Sequence, residues 1–294
     1  MSIFRGAGVA IVTPFNEDES INFDEFGRMI EDQISAGTDC IIVCGTTGEA
    51  STMNDDEHLA TIKYCIDKVN GRIPVVAGTG SNSTKEAINL SKKAEELGAD
   101  GLLCVTPYYN KATQDGLYAY YKAISDAVNI PIIMYNVPSR TGTNIQPETA
   151  VRIAKEVKNV VAIKEASGNI SQVAKLAHLA DGCLDIYSGN DDQVIPLMSL
   201  GGIGVISVWS NVAPKQVHDM TEAFFNGDIE TARKIQLDAM DLIAALFCEV
   251  NPIPVKAAMN IMGYKAGIMR APLTECSDAG KEKLRKAIKD YGLI

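Results

Sequence analysis

Histidine is scarce in this chain: His58, His178 and His218 are the only three in 294 residues. None stands in a His-Glu-x-x-His or other ligand spacing, so no metal site is expected. The seven cysteines are scattered. An odd number without a secretory leader argues for reduced thiols and a cytoplasmic protein. Cys40 and Cys44 lie in an apolar run and read as small core residues. The opening stretch, Met1 to Phe15, holds a short apolar run from Ala7 to Val12, too short for a signal-peptide core. Nothing approaches the roughly 18 apolar residues of a membrane span. Basic charge is short as well: 27 Lys and Arg against 37 Asp and Glu leave a net charge of -10. That balance opposes binding to nucleic acid, where affinity comes from cations displacing counterions. It also makes any pocket Lys or Arg informative, because an anionic ligand must be met against the overall field. A Walker loop and a Gly-x-Gly-x-x-Gly turn are both missing. Gly201-Gly202-Ile203-Gly204 is the one glycine-rich run that could hold a phosphate, and alone it is a weak signal.

What the sequence has is rhythm. Short apolar, β-rich runs recur every 20 to 30 residues or so, with helical patterns between them. Eight strands are expected, at Gly8 to Thr13, Cys40 to Gly45, Pro74 to Ala77, Gly101 to Thr106, Pro131 to Asn136, Val160 to Lys164, Asp185 to Ser188 and Gly204 to Ser207. Their near-continuous hydrophobicity suits parallel strands buried on both faces. Eight such strands predict an α/β chain folded as a (β/α)8 TIM barrel, which is more economical than an open doubly wound sheet. Ser83-Thr84-Lys85-Glu86 predicts a capping box, ahead of Ala87, Leu90, Ala94 and Leu97 on one helical face and Gly98 at the stop. Asn22 and Asn54 read as further helix starts and Gly37 as a stop. After the eighth strand come helical patterns near Pro214 to Asn226, Asp228 to Cys248 and Ile253 to Met262, and one at the C-terminus. Only the first is needed for closure. The expected division is therefore a catalytic barrel over 1–226 and a C-terminal helical appendage over 227–294.

Barrel active sites lie at the C-terminal ends of the strands, and the unusual residues collect there. Lys164 ends the apolar run Val160-Val161-Ala162-Ile163, where a charged amine is disfavoured and a neutral, nucleophilic one is favoured. The ordinary alternative is a lysine snorkelling to solvent. Tyr135 ends the neighbouring strand and could move protons, or be a core aromatic with a satisfied hydroxyl. Gly45-Thr46-Thr47-Gly48 offers hydroxyls and backbone N–H groups that could cradle a carboxylate, although such a turn is also common loop chemistry. Arg140 could clamp a carboxylate bidentately or sit in solvent. The combination is far less common than any single member.

These stretches resemble a known family. They are Gly45-Thr46-Thr47-Gly48-Glu49, Thr106-Pro107-Tyr108-Tyr109-Asn110, Tyr135-Asn136-Val137-Pro138-Ser139-Arg140-Thr141-Gly142, Ile163-Lys164-Glu165-Ala166-Ser167-Gly168 and Gly204-Val205-Ile206-Ser207. Together they are similar, over essentially the whole chain, to the 4-hydroxy-tetrahydrodipicolinate synthase family of pyruvate-dependent class I aldolases. The resemblance implies a lyase that condenses pyruvate with L-aspartate 4-semialdehyde through a Schiff base on Lys164, without a cofactor. It implies Tyr135 as general acid/base, in a relay with Thr46 and with a Tyr109 that enters from a neighbouring subunit of a homotetramer. It assigns pyruvate's carboxylate to Thr47, the semialdehyde's carboxylate to Arg140, and the backbone lining to Gly189 and Ile206. A possible allosteric site for L-lysine falls on Asn82, Glu86, His58 and Tyr108, but Asp55 stands where lysine-inhibited members often carry His. Sister lyases acting on N-acetylneuraminate or 2-keto-3-deoxygluconate would keep Lys164 and Tyr135 but not Arg140. A non-catalytic ligand-binding or regulatory barrel is the rival of another class, and intact Lys164, Tyr135 and Thr46 speak against it.

Overall fold

A computed structural model describes residues 2–294. Eight parallel strands close on themselves in sequence order. They are β1 (Gly6–Ala10), β2 (Cys40–Val43), β3 (Val75–Gly78), β4 (Gly101–Val105), β5 (Ile132–Asn136), β6 (Val160–Glu165), β7 (Asp185–Ser188) and β8 (Gly204–Ser207). The closing pair, β1 with β8, sets Gly6 opposite Gly204 and Gly8 opposite Ile206.

Alternation along the strands explains why they look apolar throughout. Ile42, Val76, Leu103, Ile133, Tyr135, Ala162, Tyr187 and Ile206 pack into one cluster inside the barrel. The intervening Ile41, Val43, Ala77, Leu102, Cys104, Met134 and Ile163 join a second cluster with the surrounding helices. Both faces of every strand are thus removed from water, and each fully buried Ile or Leu contributes about 2 kcal/mol. Phe4 plugs the lower end by stacking on Tyr187 at 4.3 Å between ring centroids, and the Tyr187 hydroxyl donates to the Phe4 carbonyl at 2.6 Å.

Several boundaries differ from expectation for local reasons. The first strand leaves the ladder at Ala10, because the Val12 N–H is taken by the Asn211 side chain at 3.0 Å. Ile11 and Val12 stay buried without being strand. The second ends at Val43 because Cys44 is left-handed, φ 55. At the third helix start Ser83 accepts the Glu86 N–H, but Glu86 turns its carboxylate to Ser81. The expected reciprocal box is therefore only half formed there, whereas it is complete at Asn54 and Glu57. The single helix expected from Asp228 to Cys248 is two, Ile229–Asp238 and Met240–Leu246, breaking at the fully buried Ala239. Hydrophobic periodicity alone cannot register that change of axis.

Beyond the helix Pro214–Phe225, the chain adds those two helices, then Ile253–Ile261 and Asp278–Tyr291. Their Leu242, Leu246, Val255, Met259, Leu284 and Ile288 belong to the same cluster that covers the barrel strands. Among the described residues, no helix is long and apolar enough to cross a membrane.

Candidate active site

Lys164 and Tyr135 are register partners on adjacent strands. Both point inward, being in phase with Ala162 and Ile133 of the inner cluster. The Lys164 Nζ stands 4.5 Å from the centre of the Tyr135 ring, and Lys164 is only 5% exposed. Among the described residues its amine makes neither an ion pair nor a hydrogen bond. Burial pulls its pKa down to about 8, with Arg140 adding to the fall and Asp191 opposing it. About a tenth of the amine is therefore uncharged at about pH 7 and about half at about pH 8, far more than for an ordinary lysine. Burial acts on Tyr135 in the other direction, raising its pKa, while Arg140 and the neighbouring Thr46 hydroxyl pull it back. Its phenol remains a proton donor beside an amine that loses its own proton readily.

The next residue, Glu165, points the other way and anchors the frame. Its carboxylate accepts from the Asn136 side chain at 2.9 Å and from the Ser167 N–H at 2.7 Å, which ties the end of β6 to the end of β5. Gly189 lies against the lysine stem, where an added Cβ would fall 3.0 Å from Lys164 Cε and 2.6 Å from the Ala166 Cβ. Ile206 is fully buried in the inner cluster.

Thr46 is exposed and Thr47 buried, on a turn where Gly48 and Glu49 bond back to Gly45 and Thr46. Arg140 follows β5 on the short helix Pro138–Thr141. Its Nη2 donates to the Asn251 carbonyl at 3.0 Å, and among the described residues no carboxylate pairs with it. A cation left unspent in a protein of net charge -10 is suited to an incoming carboxylate.

A cavity of about 370 Å³ joins two groups of residues that the sequence analysis kept apart. Thr46, Tyr135 and Arg140 line it, and so do His58, Glu86, Tyr108 and Asp55. His58 is buried and neutral in tendency, burial lowering its pKa, with Nε2 2.8 Å from the Gly78 carbonyl. Asn82 is not among the cavity's lining residues; its carbonyl accepts from the Asn110 side chain. Tyr109 is not brought to the site either: it is 90% exposed and left-handed at φ 71.

Four site neighbours escaped the sequence analysis. Asp191, buried just after β7, accepts the Val208 and Trp209 N–H groups on one carboxylate oxygen, while its other oxygen has no hydrogen-bond partner. Its place two residues past Gly189, at a strand's C-terminal end, could have flagged it. Glu49 was visible in its motif but had no evident partner. Asn251 and Lys256 lie far beyond the eighth strand, where no strand-end rule reaches.

Residues 3–291 match the model of the Dihydrodipicolinate synthetase family. The chain is 60% identical over 293 residues to the 4-hydroxy-tetrahydrodipicolinate synthase of Caldicellulosiruptor bescii, covering 100% of this chain and 99% of that one. The dihydrodipicolinate synthase of Thermotoga maritima superposes with a TM-score of 0.98 at 46% identity, over the full length of both chains. The chloride-inhibited enzyme of Acinetobacter baumannii, solved in complex with pyruvate, gives 0.96 at 46% identity over 99% of each chain. With eight parallel strands in a closed ring, a buried unpaired lysine at the end of the sixth, and whole-length likeness to these proteins, the chain belongs to the dihydrodipicolinate synthetase family.

Proposed function

We propose that this chain is a 4-hydroxy-tetrahydrodipicolinate synthase, a lyase that joins pyruvate to L-aspartate 4-semialdehyde at the head of the diaminopimelate and lysine branch, with Lys164 as its nucleophile. The observation that carries the assignment of Lys164 is a buried amine with no ion pair or hydrogen bond among the described residues, set beside a protonated phenol at the C-terminal end of the barrel. The neutral Nζ adds to the C2 carbonyl of pyruvate. Tyr135 supplies the proton that lets the carbinolamine oxygen leave as water, which gives the imine. Loss of a methyl proton turns the imine into an enamine, and its carbon attacks the aldehyde of the semialdehyde to form the new C–C bond. The semialdehyde's amine then displaces Lys164 and closes the ring, regenerating the free lysine. Thr47 and its turn hold pyruvate's carboxylate, with Thr46 in contact with Tyr135. Arg140 receives the carboxylate of the semialdehyde, which a sister lyase acting on a sugar acid would not require. Gly189 and Ile206 shape the pocket through their backbones.

Borohydride reduction in the presence of pyruvate, followed by peptide mass mapping, tests the nucleophile. A reduced pyruvyl adduct is expected on the Lys164 peptide and absent from Lys164→Ala. Turnover of pyruvate and semialdehyde by an enzyme whose Lys164 stays unmodified would overturn the reading. So would cleavage of N-acetylneuraminate with no turnover of the semialdehyde.

A further inference from the structure

Closing the barrel does not require the chain beyond Pro214–Phe225, yet that tail reaches the Gly45–Glu49 turn at several points. The Asn251 side-chain amide donates to the Thr47 hydroxyl at 3.1 Å, both residues being buried. Lys256 and Glu49 form an ion pair at 2.6 Å between side chains 1% and 0% exposed. The Arg270 N–H reaches the other Glu49 oxygen at 3.3 Å. Glu49 itself is left-handed, φ 54, so its carboxylate is held by a backbone that few residues adopt without support.

A buried ion pair is a weak source of stability, since well-packed apolar residues of similar volume do as well or better. What it supplies is direction. Lys256 is a second buried amine with its pKa lowered to about 8, but its Nζ is committed to Glu49 and, at 2.6 Å, to the Ile268 carbonyl. It is thus occupied as a strut, whereas Lys164 is free to react. Asn251 has a double position: its side chain holds Thr47, and its carbonyl accepts from Arg140.

We propose that Asn251 and Lys256 are positioning residues of the keto-acid site: through the Thr47 hydroxyl and the Glu49 carboxylate they hold the Thr46–Thr47 turn at the distance from Lys164 that a bound keto acid's carboxylate requires. The inference rests on the reading that Thr47 receives that carboxylate. It makes the C-terminal helices part of the pyruvate site rather than an appendage to it.

The test uses the full-length enzyme. In Asn251→Ala the Michaelis constant for pyruvate should rise about five- to tenfold, the scale of one well-placed hydrogen bond. The constant for the semialdehyde should stay within about twofold, because Arg140 keeps the backbone carbonyl it donates to. Lys256→Met alone strands a buried carboxylate and is expected to unfold. The pair is therefore probed as Glu49→Gln/Lys256→Met, which removes both charges, and thermal unfolding confirms that it folds. The folded double variant should also show a raised pyruvate constant. Borohydride trapping at saturating pyruvate should still label Lys164 in every folded variant. An unchanged pyruvate constant in both folded variants overturns the proposal. A rise shared equally by both substrates, together with a fall in melting temperature, overturns it too, since that marks a purely structural role. Failure of the unmutated enzyme to trap pyruvate on Lys164 would instead bring down the underlying functional reading.

Discussion

The charge on the Lys164 amine is set by its burial and by two charged neighbours. Burial lowers its pKa to about 8, Asp191 raises it and Arg140 lowers it. Below that value the folded protein holds the amine protonated, and above it the nucleophile is present, so reactivity must rise with pH through the midpoint. The initial rate of imine formation at low pyruvate is therefore expected to climb between about pH 7 and 9, with a midpoint near 8, measured by stopped-flow or quenched borohydride trapping. Asp191→Asn keeps an oxygen for the Val208 and Trp209 N–H groups but removes the charge that favours the ammonium. Its midpoint should move to lower pH. A flat profile, or a midpoint moved upward in Asp191→Asn, would mean that this electrostatic account is wrong. At the residue scale the sequence was most readable at the strand ends: Lys164 and Tyr135 were expected there, and the pair is adjacent in register. Asp191 was missed because a carboxylate near a strand end has many ordinary uses. Only the structure reveals that it is buried with one oxygen unpartnered.

The strands were legible because two separate cores draw on alternate residues of each, which leaves no polar phase to confuse the period. Their ends were less so. Cys44 leaves the ladder through a left-handed backbone, and the Val12 N–H is captured by a side chain from residue 211. Neither event has a local sequence signal. Closure itself depends on a glycine pair that composition does not advertise. Gly204 has φ +152, and a Cβ there would stand 2.0 Å from the Gly6 carbonyl oxygen, across the β1–β8 seam. Gly204→Ala is expected to lower stability by on the order of 3 kcal/mol or more, since backbone must separate where the ring closes. Gly182 is also left-handed, φ +81, but a Cβ there would meet nothing within 4 Å. Gly182→Ala should cost only about 1 kcal/mol. Denaturant midpoints of the two variants check this ordering, and equal losses would show that the seam tolerates the extra atom.

At the scale of the whole molecule, one residue has no task in a single chain. Tyr109 sits on the turn after β4, 90% exposed and left-handed in its backbone. An aromatic presented to solvent on a strained turn is costly unless a partner covers it. The family resemblance had already suggested the occupant, a neighbouring subunit whose own relay lacks this hydroxyl. Sequence could not supply the interface, because subunit contacts leave no period along the chain, and Tyr109 is one of several exposed apolar side chains, with Leu237 and Val250 among them. We propose that Tyr109 completes the Tyr135–Thr46 relay of an adjacent copy in a homotetramer. Specific activity should then fall as the enzyme is diluted through its dissociation range, tracked by analytical ultracentrifugation, while trapping of pyruvate on Lys164 persists in the dissociated chain. Tyr109→Phe should lower kcat by about a hundredfold, the lower scale of a lost general acid/base, and leave imine formation intact. Full specific activity in a demonstrably monomeric sample, or an unchanged kcat in Tyr109→Phe, would confine the relay to one subunit and leave the exposed ring to serve assembly alone.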